Sequence, residues 1–171
     1  MKIEEIRKSY RPKKIRLLLI GESPPESGKF FYLESSMTTF TQRAFENTFK
    51  LSFKNHKKFL QFFKKKGCYL DDLSLIPVDR EFPLRKEEVL SGSIFSLAKR
   101  LTSYKPEIVV IVLKRIERKV NEALDLSRIQ CERYTLPFPG NGHQNKYIQK
   151  LSKILKSHML WNILWLATDQ L

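Results

Sequence analysis

Glu22, Asp71, Asp72 and His143 are the side chains best placed for chemistry, and each lies where an apolar run gives way to turn residues. The run Leu17–Ile20 breaks at Gly21 and is followed by Glu22, Ser23, Pro24 and Pro25. The two prolines forbid a helix interior and favour a rigid, extended loop. Gly28 permits a turn or a close backbone approach. In an open α/β sheet, ligands bind beyond the carboxyl ends of the strands. Glu22, Ser23, Phe30, Phe31 and Tyr32 are therefore the first candidates for a site, with Lys29 beside them. The same turn also serves as a plain strand exit, and Phe30 and Phe31 serve equally as core.

A second stretch, Leu136-Pro-Phe-Pro-Gly-Asn-Gly-His-Gln-Asn-Lys-Tyr147, leaves one strand and enters a helix. Pro137 and Pro139 stiffen it, while Gly140 and Gly142 admit special dihedrals. Asn141, His143, Gln144 and Asn145 are hydrogen-bonding groups near a helix N-terminus, a setting suited to phosphate or another anion. His143 has the chemistry of a proton donor or an electrophile, although a lone loop histidine is more often only solvated. Asp71 and Asp72 adjoin at the end of a third run. Neighbouring strand residues face opposite sides, and a buried unpaired carboxylate is costly. At least one of the two acids must be solvated, hydrogen-bonded or functional.

The elements that position these groups read as α/β. Strands are expected at Leu17–Ile20, Cys68–Leu73, Ile108–Leu113 and Cys131–Leu136, with Ile108–Leu113 apolar on both faces and hence central. Helices are expected to about Phe49 with a cap among Ser35, Ser36, Thr38 and Thr39, over residues 56–66 ending at Gly67, over 87–101, over 115–124, and from about Asn145. Phe59, Phe62 and Phe63 follow helical spacing and belong to the core rather than to a base-stacking surface. The predicted fold is a three-layer α/β/α sandwich around a mainly parallel four-stranded sheet. Residues 1–14 read as a basic arm in which Ile3 and Ile6 anchor a short helix on the fold, 15–157 as the domain, and 158–171 as an apolar tail suited to docking or self-contact.

Composition narrows the partner. Among 171 residues, 32 are Lys or Arg and 18 are Asp or Glu, for a net charge of +14. Such a surface favours an anionic partner, of which nucleic acid is the commonest soluble kind. Two cysteines are too few for a disulfide framework. No histidine pair has metal-ligand spacing, and the phosphate-loop and nucleophile-elbow patterns are missing. No metal or cofactor is expected. The apolar runs are too short for a membrane span or a leader, which makes the cytoplasm the expected location.

Three pieces in order resemble the uracil-DNA glycosylase superfamily, especially its smaller uracil-glycosylase-like members, over residues 15–155. They are Gly21-Glu-Ser-Pro-Pro25 with Phe30 and Phe31, Cys68-Tyr-Leu-Asp-Asp-Leu73, and Leu136-Pro-Phe-Pro-Gly-Asn-Gly-His-Gln144. The resemblance implies a small parallel sheet between helices. It also implies cleavage of the N-glycosidic bond of uracil or another damaged base in DNA, after the base leaves the stack. Glu22 would position water or stabilise positive charge on the sugar. Phe30, or else Phe31, would stack on the base, with Ser23 nearby. Asp71 or Asp72 would stand where many relatives carry asparagine. An ionised carboxylate accepts from a ring N–H but cannot donate to a uracil carbonyl, which points to a different base. Lys29, Gly140, Asn141, Gly142, Gln144 and Asn145 would lie near DNA phosphate or the departing base. Many active relatives follow histidine with proline and serine. Here the loop opens Leu136-Pro-Phe-Pro, so either His143 reaches the base from a shifted position or the electrophile is missing. A non-catalytic nucleic-acid-binding domain and a nucleotide or phosphate-ester hydrolase are the two alternatives.

Overall fold

A computed structural model of the chain describes residues 3–78 and 80–159. Four strands, β1 (Leu17–Gly21), β2 (Cys68–Asp72), β3 (Ile108–Val112) and β4 (Glu132–Leu136), form one parallel sheet in the order β2-β1-β3-β4. Leu17 pairs with both Cys68 and Ile108, and Ile20 with both Asp71 and Ile111. Every residue of β1, β2 and β3 is buried. Strands covered on both faces need apolar side chains at successive positions, and the runs Leu17–Ile20 and Ile108–Val112 supply them. β4 is an edge strand, and its first residues, Glu132 and Arg133, are exposed.

Parallel strands require crossovers, and helices provide them. After α1 (Ile3–Ser9), the helices are α2 (Ser36–Phe49), α3 (His56–Lys65), α4 (Pro83–Gly92), α5 (Ile94–Tyr104), α6 (Glu117–Ser127) and α7 (Gln144–Met159). α2 packs on α3 and α7, and α5 packs on α4 and α6, which gives the two outer layers. The start of α2 is fixed by a reciprocal cap: Ser35 Oγ accepts from the Thr38 N–H and Thr38 Oγ1 accepts from the Ser35 N–H. Asn55 caps α3 through the Lys58 N–H, and Gly67 follows the helix at φ +74°, where a side chain would be strained. Phe45, Phe59 and Phe63 are buried and meet Phe31, Phe49, Phe53 and Phe62 edge-on or tilted. Phe59 and Phe63 are core, as their spacing predicts, and half-buried Phe62 packs against it.

Several expectations need correction. The helix predicted over 87–101 is two helices, and the first begins at Pro83, whose fixed φ and missing N–H suit a first turn. The break falls at Gly92 and Ser93, where the Ser93 hydroxyl donates to the Val89 carbonyl at 2.7 Å, a competing bond that bends helices. Cys131 lies just before β4 and is half-buried, whereas Cys68 sits in β2, where burial pushes its thiol up. The arm at residues 1–14 is not simply solvated. α1 packs on the domain, and Arg7 is 1% exposed. The apolar tail from residue 160 onward, and Asp79, lie outside the described residues. Among those described, no helix is long and apolar enough to cross a membrane.

Candidate functional site

From β1 the chain crosses one way to β2 and later returns to β3 on the other side. Loops leaving β1 and β3 therefore diverge, and a crevice opens between them at the carboxyl ends of the strands. A cleft of about 630 Å³ lies there, lined from the β1 end by Glu22, Ser23 and Phe30 and from the last loop by Phe138, Asn141 and His143. The first and last loops, 116 residues apart in sequence by the spacing of Glu22 and Phe138, thus meet in one place.

Glu22 is the most constrained group in the cleft. Arg115 donates to it through both arms, Nε to Oε1 at 2.7 Å and Nη2 to Oε2 at 2.6 Å. Lys86 Nζ, from α4, stands 2.9 Å from Oε2. Burial alone would raise its pKa, but the Arg115 and Lys86 hydrogen bonds outweigh it and hold Glu22 below the usual glutamate range. Glu22 is a fixed anion, suited to stabilising positive charge or accepting a hydrogen bond from water, and unsuited to donating a proton. Arg115 reaches it from the short 3₁₀ turn Lys114–Ile116 after β3. The residue before that turn, Leu113, has φ 136° and lines the cleft. Such a dihedral is sterically costly for leucine. It redirects the chain so that Lys114 and Arg115 border the site.

The paired acids divide the work. Asp71 is fully buried, accepting from Arg7 Nη1 at 2.5 Å and from Arg100 Nε at 2.8 Å. It does not border the cleft, and its expected role in reading a base is not supported. Two guanidiniums neutralise it and hydrogen-bond it, which is what a buried carboxylate requires. Asp72 does border the cleft while its Oδ2 accepts from Arg7 Nη2 at 2.6 Å. Burial pushes the Asp72 carboxyl up to about 6, with Arg7 pulling it back down. Arg7 is held above the ordinary arginine range, the pull of Asp72 and Asp71 overcoming the burial that opposes its charge. Arg100 ties the network to the chain exit by donating to the carbonyls of Asp72 and Leu73.

The aromatic pair also separates. Phe30 and Phe31 are both buried and both touch the cleft, but Phe31 turns into the cluster of Phe59 and Phe63. Phe30 meets Tyr32 edge-on, with centroids 5.8 Å apart. Tyr32 is itself core: its hydroxyl donates to the Leu70 carbonyl and accepts from the Leu70 N–H. Ser23 Oγ accepts from the Val78 N–H at 3.3 Å and so pins the β2 exit loop to the β1 exit loop. Lys29 is exposed at the rim.

In the last loop, Gly140, Asn141 and His143 line the cleft, while Gly142, Gln144 and Asn145 do not. Asn141 at φ 50° and Gly142 at φ 84° turn the chain, and the His143 N–H closes that turn on the Gly140 carbonyl at 3.0 Å. α7 starts at once, so the side chains of Gln144 and Asn145 belong to its first turn. His143 is exposed and reaches the cleft from the rim. Sequence reasoning missed Arg7, Lys86, Arg100, Lys114 and Arg115. Their only sequence signal is charge, which 32 residues of this chain share.

Comparison with protein-family models gives no match, and comparison with curated proteins gives none.

Proposed function

We propose that the cleft is a base-excision site, in which the protein binds nucleic acid on its basic surface and cleaves the N-glycosidic bond of an extruded, damaged base. The observation that supports this reading best is the convergence on one cleft of Glu22, held below the usual glutamate range by Arg115 and Lys86, the ring of Phe30 and the acid of Asp72. In this reading Phe30 forms a wall for the planar base. Glu22 lies against the sugar, and its anion stabilises the positive charge that develops as the bond opens. Arg115 and Lys86 keep it ionised. His143 at the rim donates to the departing base or to an adjoining phosphate. Lys29 and Lys114 meet the phosphate backbone. The partner is DNA, the location cytoplasmic, and no cofactor is used.

A purely binding role is the second reading. It is favoured by the cations that already occupy both Glu22 oxygens, which the approach of a substrate would have to rearrange. Incubation with oligonucleotides carrying uracil, hypoxanthine, xanthine or mismatched thymine, with mass spectrometry of the released base, separates the two. Release from one substrate is expected, with a loss of about 100-fold or more in Glu22→Gln, the size seen when a group stabilising transition-state charge is removed. Salt-dependent binding without release from any of them would favour the binding role, and full activity in Glu22→Gln would remove Glu22 from the chemistry.

A further inference from the structure

The charge of this protein is divided unevenly between its two outer layers. Helices α2, α3 and α7 hold nine Lys and Arg against one acid, Glu46. Helices α4, α5 and α6 hold six against five. Solubility calls only for cations mixed with anions, which is how the second layer is built. The single acid of the first layer is half-buried, with its Oε1 accepting from the Gln42 side chain and from the Phe53 N–H.

α7 concentrates the excess. It carries no Asp or Glu, and Lys146, Lys150, Lys153 and Lys156 fall within about a third of its circumference. All four are exposed, and none forms an ion pair among the described residues. α7 is held beside α2 by the Thr41 and Tyr147 hydroxyls, 2.8 Å apart, and by the Ser152 hydroxyl donating to the Ala44 carbonyl at 3.2 Å. Farther along, the two helices leave a shallow groove of about 380 Å³, with Asn47 and Lys50 on one side and Gln149, Lys153 and Lys156 on the other. No acid lines this groove, and none of its residues lines the cleft.

The rest of the surface decides which polyanion fits. Among the described residues, no exposed large apolar side chain lies on α2, α3 or α7. A helix that lies on a membrane needs an apolar face, a protein interface needs apolar anchors at its centre, and a single strand is held by aromatic platforms. The backbone of a DNA duplex needs only cations. From Lys150 to Lys156, α7 rises about 9 Å, over which one strand of a duplex presents about three phosphates. We infer that the α2–α7 face is a second docking surface for DNA, outside the cleft, on which the duplex backbone lies without base contacts. The choice of DNA rests on the reading of the cleft given above, but the surface does not need the cleft to be catalytic. α7 begins one residue after His143 at the cleft rim, so duplex held on this face stays beside the cleft.

The test is a salt titration of the full chain on an undamaged DNA duplex, read by fluorescence anisotropy. Lys150→Gln with Lys153→Gln and Lys156→Gln is expected to flatten the plot of log affinity against log salt by about 3, near 0.9 for each phosphate contact. Lys153→Gln alone is expected to flatten it by about 1. A charge-matched set on the opposite layer, Lys99→Gln with Lys105→Gln and Arg118→Gln, is expected to flatten it by less than about 1. Thermal melts report whether each variant folds, and all these side chains are exposed. Equal flattening by the two sets would reduce the effect to net charge, and no flattening by the α7 set would take DNA off this face. Either result overturns the inference. So does tighter binding of the wild type to phosphatidylserine–phosphatidylcholine vesicles than to the duplex, lost in the α7 set. Base release from damaged oligonucleotides is measured separately, so glycosylase chemistry can fail while the α7 face holds duplex, and the reverse.

Discussion

Glu22 and Asp72 face the same cleft, yet their surroundings push them in opposite directions, and this predicts opposite contributions to stability with pH. Asp72 binds its proton more tightly folded than unfolded, because burial lifts its carboxyl to about 6 from an ordinary value near 3.8. Its contribution therefore falls as pH rises through that window and is level above it. Glu22 is held below its ordinary value, so its contribution is present at neutral pH and lost as pH falls through the folded-state pKa. In urea unfolding, the wild type should lose stability relative to Asp72→Asn between pH 4 and 6, and relative to Glu22→Gln as the pH falls below about 4.5. Gly21 belongs to the same scale. Asp72 is pinned by Arg7 and cannot retreat from the 2.4 Å approach of an added Cβ. Gly21→Ala should cost about 1–3 kcal/mol, the usual range for overpacking, read as a lower urea midpoint. Glu22, Phe30 and His143 were legible in the sequence because each interrupts or follows a strand exit. Arg115 and Lys86 were not, because their role appears only when the β3 exit and α4 close on the β1 exit. Asp71 was misread for the related reason that its partner, Arg7, lies 64 residues away.

At the scale of the element, the inward-facing Arg7 of α1 is the unexpected part. A seven-residue helix is too short to stand alone, and it is held by burying Arg7 between two acids. Arg7→Leu strips Asp72 of its guanidinium and leaves Asp71 with Arg100 alone, and should cost about 3–5 kcal/mol. Changing Asp71 and Asp72 to asparagine in the same background should recover part of that loss, which chemical denaturation can measure. A basic N-terminal stretch with two isoleucines reads as a loosely anchored arm, because nothing local shows that one of its arginines faces inward. By contrast, the α2–α3 layer was legible through phenylalanines spaced along helical faces. Phe45 is fully buried there, and Phe45→Ala should cost about 3–5 kcal/mol. The break between α4 and α5 was hidden because Leu90, Ile94, Leu97 and Leu101 keep helical spacing straight through it. Spacing records which side chains face inward and does not record a hydroxyl that competes for a carbonyl.

At the scale of the molecule, the sheet order and the net charge dominate. β1 and β3 were legible as apolar runs, since strands buried on both faces leave that pattern, whereas the edge strand β4 keeps Glu132 and Arg133 exposed. That the cleft opens beside β1 and β3 follows from the reversal of strand order, which pairing shows and composition does not. The charge of +14 makes nucleic-acid binding strongly salt-dependent if DNA is the partner. Fluorescence anisotropy should give a plot of log affinity against log salt with a slope of about −0.9 per phosphate contacted. Lys29→Gln with Lys114→Gln should flatten that slope by about 2 and leave base preference unchanged. A slope that stays the same would place the phosphate contacts elsewhere on the surface.

The interior position of β1 also governs how the chain reaches this structure. β1 is made first of the four strands, yet both its neighbours come later, β2 after two helices and β3 after four. Until they arrive, a ribbon of leucine and isoleucine has two open edges and no native pair. Parallel sheets closed by such distant contacts assemble slowly, and exposed edges recruit other molecules in the meantime. Recovery from denaturant should therefore fall as protein concentration rises, and a chaperone that shields the N-terminal third should restore it.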